Sequence, residues 1–132
     1  MRVSEVMASD VSVVAPGTTI DAAAQIMADL DVDGLPVGET EETLAGIITS
    51  RDILLRVVAP RRDPRTTRVA EAMSTNVFTC APEDEAAVVL RDMERNQVRR
   101  MPVVDGIGRI VGLVTRAAPE QAEQRMAAPR QS

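Results

Sequence analysis

The chain has 132 residues, 20 acidic against 15 basic side chains, a formal charge of −5 and 45% apolar residues; this fits one compact domain, or two half-sized units sharing a core, and is too apolar for a disordered chain. Every basic residue is arginine and histidine is absent, which removes the P-loop lysine, the Schiff-base lysine and the commonest general base and metal ligand. The negative charge and a single aromatic residue, Phe78, argue against a nucleic-acid partner, and no apolar run reaches the roughly 18 residues of a membrane-spanning helix.

The segment Met1–Glu5 leads into no apolar signal core, so a cytoplasmic location is expected. A short turn ending at Met7 precedes an extended piece, Val11–Val14, which Ala15-Pro16 stops because proline has no N–H for a ladder. Apolar residues at Ile20, Ala23, Ala24 and Met27 predict a helix with one buried face. Strands Gly34–Val37 and Leu44–Thr49 follow around a polar hairpin turn, and a last helix begins after Thr49. Ala59–Arg68, with two prolines and four arginines, reads as a linker. The order then repeats: a turn ending at Met73, the piece Val77–Cys80, a stop at Ala81-Pro82, and a helix with Ala86, Val89, Leu90 and Met93 inward. Strands Arg100–Val104 and Ile110–Thr115 and a helix after Thr115 complete it.

A gapless shift of 66 residues carries Val3, Glu5, Met7, Val11, Ala15, Pro16, Met27, Val32, Pro36, Val37, Gly46 and Thr49 onto identical residues, twelve of the fifty positions from 3 to 52. Unrelated segments of ordinary composition would match at about three. The chain is therefore a duplication, divided as 1–58, linker 59–68, 69–126 and a flexible tail 127–132. A half of this size buries a marginal core, so the copies are expected to pack by a pseudo-twofold axis, with equivalent residues lining the cleft between them.

Four other features read as structural. Asp29-x-Asp31-x-Asp33-Gly34 opens like a calcium loop, but its twelfth position is Thr40 where a bidentate Glu is required, and Pro36 falls inside it. Met27 and Met93 lie on buried stripes, and the linker arginines form a solvated loop. Cys80 is the only cysteine, so no intrachain disulfide forms, and it reads as a small buried group.

The signatures Gly34-Leu35-Pro36-Val37 with Gly46-Ile47-Ile48-Thr49-Ser50-Arg51-Asp52, and Met101-Pro102-Val103-Val104 with Gly112-Leu113-Val114-Thr115, resemble the CBS domain, named after cystathionine β-synthase. The resemblance covers residues 3 to 125 as a tandem pair, a Bateman module. It implies an α+β fold of two β-α-β-β-α motifs with sheets packed together and helices outside. It also implies no obligatory cofactor, and an adenosine-containing ligand such as AMP, ATP, S-adenosylmethionine or NAD in the clefts, with Thr49 holding phosphate and Asp52 ribose.

The residues suit those parts. Thr49 stands at a strand-to-helix handover with Arg51 in the first turn, and both can meet a phosphate. Asp52 can accept from ribose hydroxyls, although Thr49-x-x-Asp52 is also a capping box. Val11, Val13, Leu35, Ile47 and Met101 are candidates for aliphatic walls around adenine, beside the motif prolines Pro36 and Pro102. In the second copy Thr115 and Arg116 remain and Arg100 adds charge, but Ala118 stands where an acid is expected, so one competent and one degenerate site are expected. The reading is a regulatory nucleotide sensor, not an enzyme, acting on a separate protein; the alternative is a ligand-independent scaffold. A homodimer is expected because Ile53, Leu54, Val57 and Val58 are too apolar for an exposed helix.

Overall fold

The 3.6-residue apolar stripes form the two long helices of a computed structural model that describes residues 1–9, 11–40 and 43–116. The first copy contains a helical turn α1 (Val3–Val6), helix α2 (Ile20–Leu30), an antiparallel hairpin of β1 (Gly34–Val37) and β2 (Gly46–Thr49), and α3 (Ser50–Ile53). After Ile53 the helix widens over Leu54–Val58, where the Ala59 amide donates to the Leu54 carbonyl five residues back. The second copy repeats the order with α4 (Val69–Ala72), α5 (Ala86–Arg95), and a hairpin of β3 (Arg100–Val104) and β4 (Ile110–Thr115). The class is α+β, as expected. The helix after Thr115, Ala118 and the tail 127–132 lie outside the described residues.

Two elements differ from expectation. Val11–Val14 and Val77–Cys80 are not strands; each is reduced to one parallel bridge, Val14 to Val37 and Cys80 to Val103. The cause is proline on both sides. Val14 donates to Pro36 O and accepts from Gly38 N. The next bond one way needs an N–H on Pro36, and the next bond the other way needs one on Pro16. Pro102 and Pro82 truncate the second bridge in the same manner. The second strand of the first hairpin also starts late, at Gly46 instead of Leu44.

The copies do more than pack together: they exchange their leading turns. Val3 N donates to Asp84 O and Ser4 N to Pro82 O, while Val69 N donates to Thr18 O and Ala70 N to Pro16 O. Beyond each turn, Ala8 and Leu113 exchange both backbone bonds, and so do Ser74 and Ile47, all at 2.9 Å. Every bond of one set maps onto the other by the 66-residue shift. The identical residues now have reasons. Glu5 and Glu71 accept from the Arg2 and Arg68 amides that begin these turns. Gly46 is crossed by the exchanged segment, where a Cβ would lie 2.5 Å from Ser74 O; Gly112 is crossed likewise by Met7 and Ala8.

Each core is therefore composite. Ile20, Met27, Leu35, Val37 and Ile48 of the first copy enclose Val69 and Ala72 of the second. Met93, Met101, Val103 and Val114 of the second enclose Val3 of the first. Ala24 and Leu90, expected inward, are half-buried and exposed respectively. Ile53 and Val57 turn inward, leaving Leu54, Leu55 and Val58 each more than half exposed. The linker is built in as well. Thr67 is buried and its carbonyl accepts from Ile20 N, Pro64 O accepts from Asp21 N, and Arg62 and Arg68 hold Glu71 and the Gly17 carbonyl. Burial pushes the Cys80 thiol up to about 11.

Two outcomes follow from this packing. Gly46→Ala forces the crossing segment at Met73 and Ser74 away and should cost about 1–3 kcal/mol, seen in calorimetry as one cooperative transition at lower temperature; two separate transitions would contradict the composite cores. Native Cys80 should stay unreactive toward thiol reagents near pH 8 and react on unfolding. Because its folded pKa is raised, its contribution to stability holds below the unfolded value and fades as pH rises toward 11.

Candidate functional site

β2 ends at Thr49, and a reciprocal cap starts α3. Thr49 N donates to Asp52 Oδ2 at 3.0 Å and Asp52 N to Thr49 Oγ1 at 3.1 Å; Thr49 Oγ1 also donates to Oδ2 at 3.0 Å. Across the copies, Ser74 Oγ donates to Asp52 Oδ1 at 3.2 Å. A buried carboxylate with about four acceptor positions thus has three filled, and the free one lies on Oδ1. One turn on, Arg56 Nη1 donates to the Ala72 and Met73 carbonyls, 3.2 and 3.0 Å away. Asp52 and Arg56 together clamp the end of the exchanged turn.

These groups line a cleft of about 610 Å³ between the copies, inside the roughly 300–1,000 Å³ typical of small-molecule sites. The first copy supplies Ile47, Thr49, Ser50, Arg51 and Asp52 from the β2–α3 junction, with Asp33. The second supplies Asn76, Val77 and Phe78 from its leading segment, Gln97–Arg99 before β3 and Arg100 at its first position. Arg100 is 11% exposed and ion-paired with Asp33, and burial draws its pKa below the usual guanidinium value. Its stem passes over Gly34, where a Cβ would sit 2.6 Å from Arg100 Cδ. Phe78 is 43% exposed.

Of the residues expected at the site, Ile47, Thr49, Arg51, Asp52 and Arg100 meet in this cleft. Leu35 and Met101 do not; they are buried in the two cores, and Pro36 and Pro102 are fully buried in their strands. Val11 and Val13 line a separate depression of about 410 Å³ with Gly38, Glu39 and Thr40. Thr115 and Arg116 lie at the end of β4, outside the cleft. The exchange explains the pattern: it sets the second copy's leading segment against the first copy's β2–α3 junction, so Val77, the counterpart of Val11, becomes the wall. The lining is consequently not built from equivalent residues, apart from Asp33 and Arg99. Ser74 and Phe78 were reachable by the 66-residue shift once the copies are crossed. Gln97 has no sequence signal.

The CBS domain family profile matches residues 3–59 and 69–118. Hypoxic response protein 1 of Mycobacterium tuberculosis is 34% identical over 113 residues, covering 86% of this chain and 78% of that protein. A crystal structure of Hypoxic Response Protein I with two coordinated zinc ions superposes with a TM-score of 0.78 at 30% identity over 98% of this chain and all of that one. The present chain has one cysteine and no histidine, and no cluster of metal-ligating side chains occurs among the described residues. The CBS domain pair of protein MJ0100, in complex with 5′-methylthioadenosine and S-adenosylmethionine, superposes with a TM-score of 0.79 at 25% identity over 98% of both chains. The inosine-5′-monophosphate dehydrogenase of Methanocaldococcus jannaschii is 36% identical over 115 residues, but the chain spans 22% of that enzyme's length. No helix among the described residues is long and apolar enough to cross a membrane.

The shared carboxylate gives a clear expectation. Asp52→Ala should destabilise by about 1–3 kcal/mol and Ser74→Ala by about 1 kcal/mol. In urea denaturation the double variant should lose less than the sum, because the two groups share one bond; full additivity would show that the Ser74–Asp52 bond carries no stability.

Proposed function

This chain belongs to the CBS domain family, and from that premise we propose that it is an adenosine-nucleotide sensor, not an enzyme, that reports occupancy of its cleft to a separate protein. The observation carrying this reading is the cleft at the Thr49–Asp52 junction, large enough for a nucleotide and walled on one side by Ile47, Val77 and Phe78. In this reading adenine lies on that apolar wall, ribose hydroxyls reach the free acceptor on Asp52 Oδ1, and phosphate lies toward Thr49, Ser50 and Arg51. The adenosine compounds bound by the MJ0100 pair support the choice of ligand. A catalytic role has little chemistry to draw on: the chain lacks histidine and lysine, and its one thiol is buried and held neutral.

Signalling follows from the clamp. A ligand that engages Asp52 competes with Ser74, and so bears on how the exchanged turn is held. The surface offered outward is Leu54 and Val58, while Leu55 lines the cleft; we assign the outward pair to a second copy of the chain, since it is too apolar to leave in water. A single buried thiol suits a reducing compartment, and we assign the chain to the cytoplasm.

Thermal shift against a panel of adenine and guanine ligands should show stabilisation by an adenine nucleotide alone, about 2.7 kcal/mol at a hundredfold excess over Kd. A flat panel would favour a ligand-independent scaffold. Light scattering at tens of micromolar should give a dimer, and Leu54→Glu with Val58→Glu should give a monomer that still binds; a monomeric parent protein would overturn the dimer assignment.

A further inference from the structure

Four arginines and two carboxylates line the cleft, an excess of positive charge inside a chain whose net charge is −5. Most of these charges are already engaged. Asp33 is taken by Arg100, Asp52 by Thr49 and Ser74, and Arg56 by the Ala72 and Met73 carbonyls. Arg51 and Arg99 remain: both are exposed, and among the described residues neither side chain has an ion pair or hydrogen bond. They come from different copies, Arg51 from the first turn of α3 and Arg99 from the approach to β3. The backbone beneath each is fixed. Ser50 N donates to Asp33 O at 2.9 Å, and Arg116 N donates to Arg99 O at 2.8 Å.

We propose that Arg51 and Arg99 make this cleft selective for nucleoside di- and triphosphates over the monophosphate, and hostile to cationic adenosine derivatives such as S-adenosylmethionine. The inference rests on the adenosine reading above and narrows it. One guanidinium fork matches one phosphate group, so a monophosphate leaves the second arginine unmatched. A phosphate chain can meet both, joining the two copies through the ligand. A sulfonium would enter a field of its own sign, with no unengaged carboxylate to receive it.

Titration calorimetry on the full chain with ATP, ADP, AMP, adenosine and S-adenosylmethionine tests this. ATP should bind about tenfold or more tighter than AMP, with a steeper loss of affinity in salt, and S-adenosylmethionine should bind most weakly. Arg51→Gln and Arg99→Gln should each bring ATP toward the affinity of AMP while leaving adenosine unchanged, and Arg99→Lys should keep part of the preference. Both side chains are exposed, and melting temperatures close to the parent's will confirm that the variants fold. Equal affinities for ATP and AMP, or S-adenosylmethionine as tight as ATP, would overturn the selectivity and leave the adenosine reading intact. No binding by any of the five would overturn both.

Discussion

The structure depends on the exchange of leading turns between the copies, fixed by paired backbone bonds from Val3 and Ser4 to Asp84 and Pro82, and from Val69 and Ala70 to Thr18 and Pro16. Buried backbone groups must find partners, and here the partners lie in the other copy. Neither core closes without a valine from the other half: Val69 is fully buried in the first and Val3 in the second. The cleft follows from the same crossing, which brings Ser74–Phe78 to the β2–α3 junction. Stability and site geometry thus have one origin.

Sequence patterns report local constraints well and reciprocal ones badly. Helix stripes and hairpins are decided by residues three, four or two positions apart, so α2, α5, β1, β3 and β4 were readable. The leading extended pieces misled because alternating apolar residues suggest a strand, whereas ladder length is decided by N–H groups that four prolines lack. The exchange itself is made by main-chain atoms and leaves only indirect marks. Glu5 and Glu71 begin the exchanged turns, and Gly46 and Gly112 give room for them to cross, but nothing in the sequence says which backbone passes there.

That gap explains the mixed outcome at the candidate site. Motif residues fixed to the β2–α3 junction meet in the cleft, whereas Val11 and Val13 line a separate depression, because the facing wall comes from the other copy. Leu35 and Met101 alternate inward from their strands and are consumed by the cores. At Asp52 the capping box is present in full, and a carboxylate oxygen also ties the two copies together. Helix initiation and inter-copy contact are therefore inseparable at this residue, and any ligand that reaches it acts on both.

Gly34 and Arg100 occupy equivalent positions, yet they touch each other. Equivalent residues in contact lie on the symmetry axis, and in a dimer of identical single repeats such a residue always meets its own copy. Two copies of the second repeat would set this arginine against its own image, with Arg99 and no aspartate at the position equivalent to Asp33; two copies of the first would leave glycine facing glycine. Because the two copies differ in sequence here, one side of the axis keeps glycine while the other carries a long cation. Divergence of the repeats thus releases the axial position from self-complementarity and gives a symmetric frame a polarity.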